Sequence, residues 1–287
     1  EAPEGVLVYG DTNSTLAGAL AAAKLHIPVF HVEAGLRSYN REMPEEINRV
    51  LTDHLSDVLF CPTEVAVRNL LQEGITDNVF NVGDVMYDAF LANIEIAKEK
   101  SKILEKVGTS AGDYVLATVH RAENTDNLEN LAGIVEALAL LDHEIVLPLH
   151  PRTRKALERA NLLGRLDTCL HVSLIEPVGY LDMLALEHGA TLILTDSGGI
   201  QKEAFFLGKP CVTLRDETEW VETVRCGLNI LVGASTSGIL QAVDTQLAAV
   251  RTHESPSVFG AGRASLDISR LLESNLNDTM DSNPKVL

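Results

Sequence analysis

Short apolar runs alternate with helically spaced segments along the whole chain, and this alternation constrains the fold more than any other feature. Strands are predicted at residues 5–9, 28–32, 58–61 and 79–82, with helices at 15–25, 44–55 and 64–72 between them. Pro44 suits the first position of its helix. A longer helical stretch over 87–107 leads to a loop of small residues, Gly108-Thr109-Ser110-Ala111-Gly112. The pattern then restarts, with strands at 114–118, 144–149, 170–172, 192–195, 211–214 and 229–232 and helices at 128–141, 152–160, 180–187, 200–207 and 238–250. Such alternation builds parallel sheets flanked by helices, so the expected class is α/β. The break near 83–112 predicts two sheets and a division into 1–86, 87–265 and a C-terminal helix and tail, 266–287, that packs back on the first domain and frays beyond Asn275. The opening Glu1-Ala2-Pro3-Glu4 has neither an initiator Met nor a signal peptide. The chain therefore reads as beginning partway through its first domain, with that sheet short of its N-terminal half.

Composition narrows the function classes. Of 287 residues 46% are apolar, ample for buried cores. The net charge of −18 and pI of about 4.8 argue against nucleic acid and against an anionic membrane surface. They leave room for one anionic small molecule in a locally positive pocket. No apolar run approaches the ~18 residues of a membrane span. Cys61, Cys169, Cys211 and Cys226 are scattered without a CxxC pair and read as reduced core residues of a cytosolic protein.

The polar clusters fall at the carboxyl ends of predicted strands, where α/β sheets bind ligands, so the cleft between the domains is the expected site. Gly10-Asp11-Thr12-Asn13-Ser14-Thr15 offers a carboxylate, or simply a helix cap. His31-Val32-Glu33-Ala34-Gly35-Leu36-Arg37 places Glu33 and Arg37 in a strand-end loop, as functional groups or as a local ion pair. Glu45 and Glu46 open the helix at Pro44, where acidic residues ordinarily complement the helix dipole. Together these carboxylates on one sheet suit divided acid and base roles. The second half is basic at its strand ends, with His120-Arg121 and His150-Pro151-Arg152. Its strand 192–195 turns through Asp196-Ser197-Gly198-Gly199 into a helix, which aims backbone N–H groups and a positive helix end at one point. That is a phosphate site, or a βα turn with glycines for tight packing. No GxxxxGK[ST] or GxGxxG occurs, and His31-Val32-Glu33 lacks the PCxxC partner of a zinc deaminase, so metal sites are poorly supported.

Together these motifs resemble the non-hydrolysing UDP-N-acetylglucosamine 2-epimerases. The match runs in order through Gly10-Asp11-Thr12, His31–Arg37, Pro44-Glu45-Glu46-Ile47-Asn48-Arg49, His120-Arg121-Ala122-Glu123-Asn124, Asp196–Glu203, Leu207-Gly208-Lys209-Pro210 and Arg215-Asp216-Glu217-Thr218-Glu219. The resemblance implies a glycosyltransferase-B-type fold of two Rossmann-like, doubly wound domains. It implies catalytic roles for Asp11, Glu33, Glu45 and His120. It assigns Ser197, Gly198 and Gly199 to the diphosphate, Glu203 to the ribose hydroxyls, and the wall of the uracil site to residues 177–183, including Tyr180 and Met183. Arg37, Arg121 and His150 join them as substrate-binding candidates. The implied reaction is reversible epimerisation at C2 by elimination and re-addition of UDP, with no metal and no nicotinamide cofactor, in a cytoplasmic homodimer that closes around its substrate.

Two departures from the family pattern stand out. The family's first strand and its Arg-containing loop are not in this chain. Many members also have Thr-Glu-Arg-Pro-Glu where this chain reads Thr218-Glu219-Trp220-Val221-Glu222. The Trp form resembles the branch acting on UDP-2,3-diacetamido uronic acids, the alternative substrate. Competing functions are a glycosyltransferase on the same fold, a hydrolysing epimerase and a non-catalytic nucleotide-sugar-binding fragment.

Overall fold

The computed structural model describes residues 3–249 and 257–282. The chain divides into two compact units, Glu1–Leu91 with Pro256–Leu287, and Ala92–Ser255.

In the first unit the elements are β1 (Val6–Tyr9), α1 (Asn13–Lys24), β2 (Val29–Val32), α2 (Pro44–Leu55), β3 (Val58–Cys61), α3 (Glu64–Gln72), β4 (Val79–Asn81) and the start of α4 (Val85–Lys100). The four strands are parallel and pair in chain order, β1-β2-β3-β4. Buried β2 and β3 read as continuous apolar runs because both faces of a parallel sheet are covered. Ala19 and Ala22 of α1 pack with Val8 and Val29. On another side Phe30, Val32, Val58 and Phe60 pack with residues of the C-terminal helix described below.

The second unit holds α5 (Ile103–Val107), β5 (Tyr114–Thr118), α6 (Ala122–Thr125), α7 (Leu128–Leu140), β6 (Glu144–Pro148), α8 (Pro151–Arg159), α9 (Leu163–Asp167), β7 (Val172–Ile175), α10 (Tyr180–Gly189), β8 (Leu192–Thr195), α11 (Gly198–Phe206), β9 (Cys211–Thr213), α12 (Val221–Arg225), β10 (Asn229–Leu231) and α13 (Thr236–Ala248). Its strands are all parallel, in the order β10-β9-β8-β5-β6-β7. This is the doubly wound arrangement, whose order reverses between β5 and β8. One core lies between the sheet and α7, α8 and α13, around Leu131, Leu157 and Ile239. A second lies toward α5, α10 and α11, around Ile103, Leu186 and Ala204. The chain ends in α14 (Ala264–Ser282), which belongs to the first unit. Asp88 of α4 accepts from Ala264 N at 3.0 Å and Ser265 N at 2.8 Å, capping α14, whose Ile268 enters the Phe30–Phe60 cluster.

Three expectations need revision. The predicted helix over 87–107 is two helices, because the Ser101 hydroxyl accepts from Ile103 N at 3.2 Å and donates to Asp182 at 2.6 Å, starting α5 afresh. The strand expected at 170–172 is displaced to Val172–Ile175, paired with Ile145–Pro148, and leaves Leu170 fully exposed. Of the cysteines only Cys61 and Cys211 are buried; Cys169 is half-buried and Cys226 exposed, on the loop after α12. The C-terminal segment is helical as far as Ser282, and the tail 283–287, like residue 250 of the helix expected over 238–250, lies outside the described residues. No helix among the described residues is long and apolar enough to cross a membrane.

Candidate active site

In the first unit the chain leaves β1 through Gly10, at φ 63°, and presents Asp11. It leaves β2 through Glu33, whose φ of 72° is rare for a residue with a side chain and costs about 1–2 kcal/mol. Both Glu33 N and Ala34 N donate to the Phe60 carbonyl at 3.1 Å, which pins this conformation. A Cβ on Gly10 would lie 3.3 Å from Glu33 Oε2, so the Glu33 carboxylate sits against the Gly10 turn beside Asp11. Asp11 Oδ2 is held by Arg49 of α2, with Nε at 2.9 Å and Nη2 at 2.7 Å. Asn48 of α2 donates to the Asp11 carbonyl at 2.8 Å. Glu45 occupies the first turn of the same helix, half-buried. The structure thus gathers Asp11 and Glu33 around Gly10 and puts Glu45 one helical turn from the arginine that holds Asp11.

Neighbouring charges in the motifs build the frame instead. Glu46 accepts from Ser38 N at 2.9 Å, Tyr39 N at 2.8 Å and Arg49 Nη1 at 2.8 Å, which anchors the loop before α2. Arg37, a substrate-binding candidate, lies within this frame. It is only 3% exposed. Its guanidinium donates to Glu73 at 2.6 and 2.7 Å, to Asp53 at 2.7 Å and to the Leu36 carbonyl at 2.7 Å. These partners hold it ionised against the cost of burial.

In the second unit the carboxyl ends of β5 and β8 meet at the strand-order reversal. Buried Asp196 accepts from His120 N at 3.0 Å, Arg121 N at 2.9 Å and Asn124 Nδ2 at 3.1 Å, tying the two strand ends together. The His120 ring lies 3.3 Å from Asp196 and 5.5 Å from the His150 ring. Burial lowers the His120 pKa, reinforced by His150, Arg121 and Arg152 and opposed by Asp196, so His120 favours the neutral form. His150 is exposed and caps α8, accepting from Arg152 N at 3.1 Å. Arg121 is half-buried at the head of α6.

Ser197 caps α11 by accepting from Ile200 N at 3.4 Å, and Gly198 and Gly199 form the first residues of that helix. Gly198 is required by close approach: a Cβ there would lie 2.6 Å from Glu219 Oε1 and 3.2 Å from Trp220 Nε1. Glu219 pairs with buried Arg215 at 3.1 Å, and Lys202 stands 4.0 Å over the Trp220 ring. Glu203 is buried on α11, next to Tyr180 and Glu187 of α10. Burial raises the pKa of the Glu203 carboxyl, and burial beside Glu203 raises that of Glu187. Tyr180 is raised by burial and by Glu203, and stays a neutral phenol. Met183 is half-buried, packed into the core under α10. Among the described residues no group of three His, Cys, Asp or Glu side chains is placed to hold a metal.

Arg49, Asn48 and Asp196 are site residues that the motifs alone do not single out. All three lie inside the motif segments, and the signal that could find them is a polar residue at a buried position beside a strand end.

A doubly wound sheet with a helix N-terminus and basic groups at its reversal point defines a nucleotide-binding α/β protein. The UDP-N-acetylglucosamine 2-epimerase family model matches residues 1–273, and the chain belongs to that family. It is 55% identical over 273 residues to a UDP-N-acetylglucosamine 2-epimerase homolog of Methanococcus maripaludis, covering 95% of this chain and 76% of the relative. It is 52% identical over 278 residues to a UDP-2,3-diacetamido-2,3-dideoxy-D-glucuronate 2-epimerase of Pseudomonas aeruginosa, covering 95% and 75%. The crystal structure of Methanocaldococcus jannaschii UDP-GlcNAc 2-epimerase in complex with UDP-GlcNAc and UDP matches with TM-score 0.88 and 50% identity, covering 95% of this chain and 76% of that one. The protein is therefore a UDP-sugar 2-epimerase, an isomerase, with the glycosyltransferase-B-type pair of parallel sheets.

Proposed function

We propose that this protein interconverts UDP-N-acetylglucosamine and UDP-N-acetylmannosamine by elimination and re-addition of UDP. The observation that carries this reading is the clustering of Asp11 and Glu33 at the Gly10 turn, with Glu45 on the helix that anchors Asp11. The C2 proton is not beside a carbonyl, so its direct removal is prohibitive. Breaking the anomeric C–O bond first puts positive character on C1 and makes the C2 proton removable. UDP departs, a 2-acetamido glycal forms, and proton and UDP return with the opposite configuration at C2. The carboxylates exchange the proton. The first-turn N–H groups of α11, with neutral His120 as a donor, stabilise the departing diphosphate. Glu203 and Tyr180 take the ribose and Met183 flanks the base. The expected cytoplasmic homodimer belongs to this proposal, and sedimentation of the purified protein tests its dimer part.

Glu33→Gln should abolish C2 epimerisation and keep UDP affinity. Turnover like the wild type would sink the assignment. One observation favours a second substrate, the UDP-2,3-diacetamido uronate. At Trp220 the chain has the form that resembles the branch acting on that uronate, and the ring is 3% exposed with Lys202 Nζ 4.0 Å above it. The ratio of kcat/KM for the two sugars decides between them.

A further inference from the structure

The side chain of His31, in the motif at the end of β2, is enclosed by acceptors at both ring nitrogens. It lies on β2 and is 0% exposed. Nδ1 is 2.7 Å from Asp53 Oδ1, and Nε2 is 2.8 Å from the Gly10 carbonyl oxygen. A carbonyl oxygen can only accept, so Nε2 carries a proton. Asp53 is held as a carboxylate, because its Oδ2 accepts from Arg37 Nη1 at 2.7 Å and Gly35 N at 3.1 Å. A carboxylate also only accepts, so Nδ1 carries a proton too. A neutral imidazole would set a lone pair against an oxygen inside a dry site, at the cost of an unmade buried hydrogen bond.

We propose that His31 is a doubly protonated positioning residue, an imidazolium clamped between Asp53 and the Gly10 carbonyl, which fixes the turn presenting Asp11 and Glu33. Gly10 is then held at both ends, since its N–H donates to the Val32 carbonyl at 3.0 Å. The charged groups around the ring favour the cation. Asp53 on α2 and Glu33 after β2 both raise the His31 pKa, and outweigh burial. Arg37 lies beyond Asp53, and Glu73 after α3 neutralises it at 2.6 Å. The Cys61 thiol on β3 is pushed up by burial and by Asp53, and stays neutral. The same contacts lower Asp53 despite its burial. The clamp gives the motif's histidine a task distinct from its glutamate: the imidazolium aims, and the carboxylates react.

This inference rests on the catalytic reading of Asp11 and Glu33, and its test separates the two. Side-chain 15N shifts of His31, assigned against His31→Gln, would be followed in ligand-free protein from about pH 6 to about pH 9, spanning the ordinary histidine range. Both ring nitrogens should remain protonated well above the ordinary value of ~6.5. Conversion to a single-proton tautomer near that value overturns the proposal. In turnover, His31→Gln and Asp53→Asn should each lower kcat on the order of a hundredfold, the expected effect of misplacing a reacting group by ~1 Å. UDP affinity should stay within about twofold, because the Ser197 turn lies in the other unit. An unchanged kcat, or an equal loss of UDP affinity, refutes the positioning role. A fully active Glu33→Gln would sink the reaction assignment alone; the titration is read without substrate and decides the protonation state independently, even where the variants fold poorly.

Discussion

Gly198→Ala tests whether the phosphate turn is set by packing against the segment behind it. The added methyl would meet Glu219 Oε1 at 2.6 Å and Trp220 Nε1 at 3.2 Å. Neither neighbour can retreat cheaply. Glu219 is tied to buried Arg215 at 3.1 Å, and Trp220 is buried with Lys202 at 4.0 Å over its ring. Overpacking of this kind costs about 1–3 kcal/mol. Separating the Arg215–Glu219 pair outright would cost more, about 3–5 kcal/mol. The gain in helix propensity over glycine offsets at most ~1 kcal/mol, and less at a first position. The expected net loss is ~1–3 kcal/mol, a fall in Tm of about 3–10 °C for a unit of this size. The alternative response, a shift of α11 itself, moves the N–H groups off the diphosphate position proposed above and weakens UDP roughly tenfold for each ~1.4 kcal/mol lost. Thermal melts and UDP calorimetry together distinguish these two relaxations. Gly164→Ala on α9 is the control: apart from the helix's own backbone nothing lies within 4 Å of that methyl, and the variant should melt with the wild type or slightly above. A Gly198→Ala protein that melts with the wild type and binds UDP equally would refute the argument.

Two further outcomes follow from the buried titratable groups. His31 is raised in the folded protein, so its stabilisation is complete below the unfolded value of ~6.5 and fades as pH rises through the higher folded value. Asp53 is lowered, so its share is present above ~3.9 and fades as pH falls through the lower folded value. Urea midpoints should therefore decline on the alkaline side in the wild type, and His31→Gln should be destabilised with that decline flattened; an unaltered alkaline slope counts against the clamp. The cysteines should react in order of exposure. The Cys211 thiol is pushed up to about 12 by burial and Cys61 is raised as well, so native alkylation followed by peptide mapping should modify Cys226 first and neither buried thiol until the protein unfolds. Labelling of Cys61 or Cys211 in the native protein would contradict their burial.

Most of the fold is legible in the residues because parallel sheets demand it. Val58–Cys61 and Tyr114–Thr118 are apolar runs of strand length bounded by turn signals, and they form strands at those limits. Helices with a marked start read equally well, as at Pro44. The helices α6, α9 and α12, of four or five residues each, are too short for a helical period to show. The break at Ser101 is hidden because its cause is a tertiary partner, Asp182, 81 positions away. Strand order is equally out of reach: alternation announces a parallel sheet, but the reversal between β5 and β8 is a matter of topology.

The site shows a sharper limit. Its motifs are dense in charge, and sequence alone ranks those charges by position, whereas burial decides which of them can reach a ligand. Arg37 and Glu33 lie four positions apart in one strand-end loop and look equally functional. The structure buries Arg37 between Asp53 and Glu73, and leaves Glu33 half-exposed at the Gly10 turn in a left-handed conformation. Glu45 and Glu46 are adjacent, yet Glu46 is consumed by Ser38, Tyr39 and Arg49. A helix advances about 100° per residue, so adjacent carboxylates on α2 cannot share a face, and one must serve the frame if the other faces ligand. The same partition separates His31, on β2, from Glu33, just past its end in a left-handed conformation. There it is depth that divides them: the inner residue finds Asp53 and a carbonyl, and the outer one reaches the surface. A cluster of carboxylates can be held poised in an acidic protein because a second layer of buried cations, Arg49, Arg37 and His31, stands beneath it. Substituting that layer should therefore disturb the reaction as surely as substituting the carboxylates themselves.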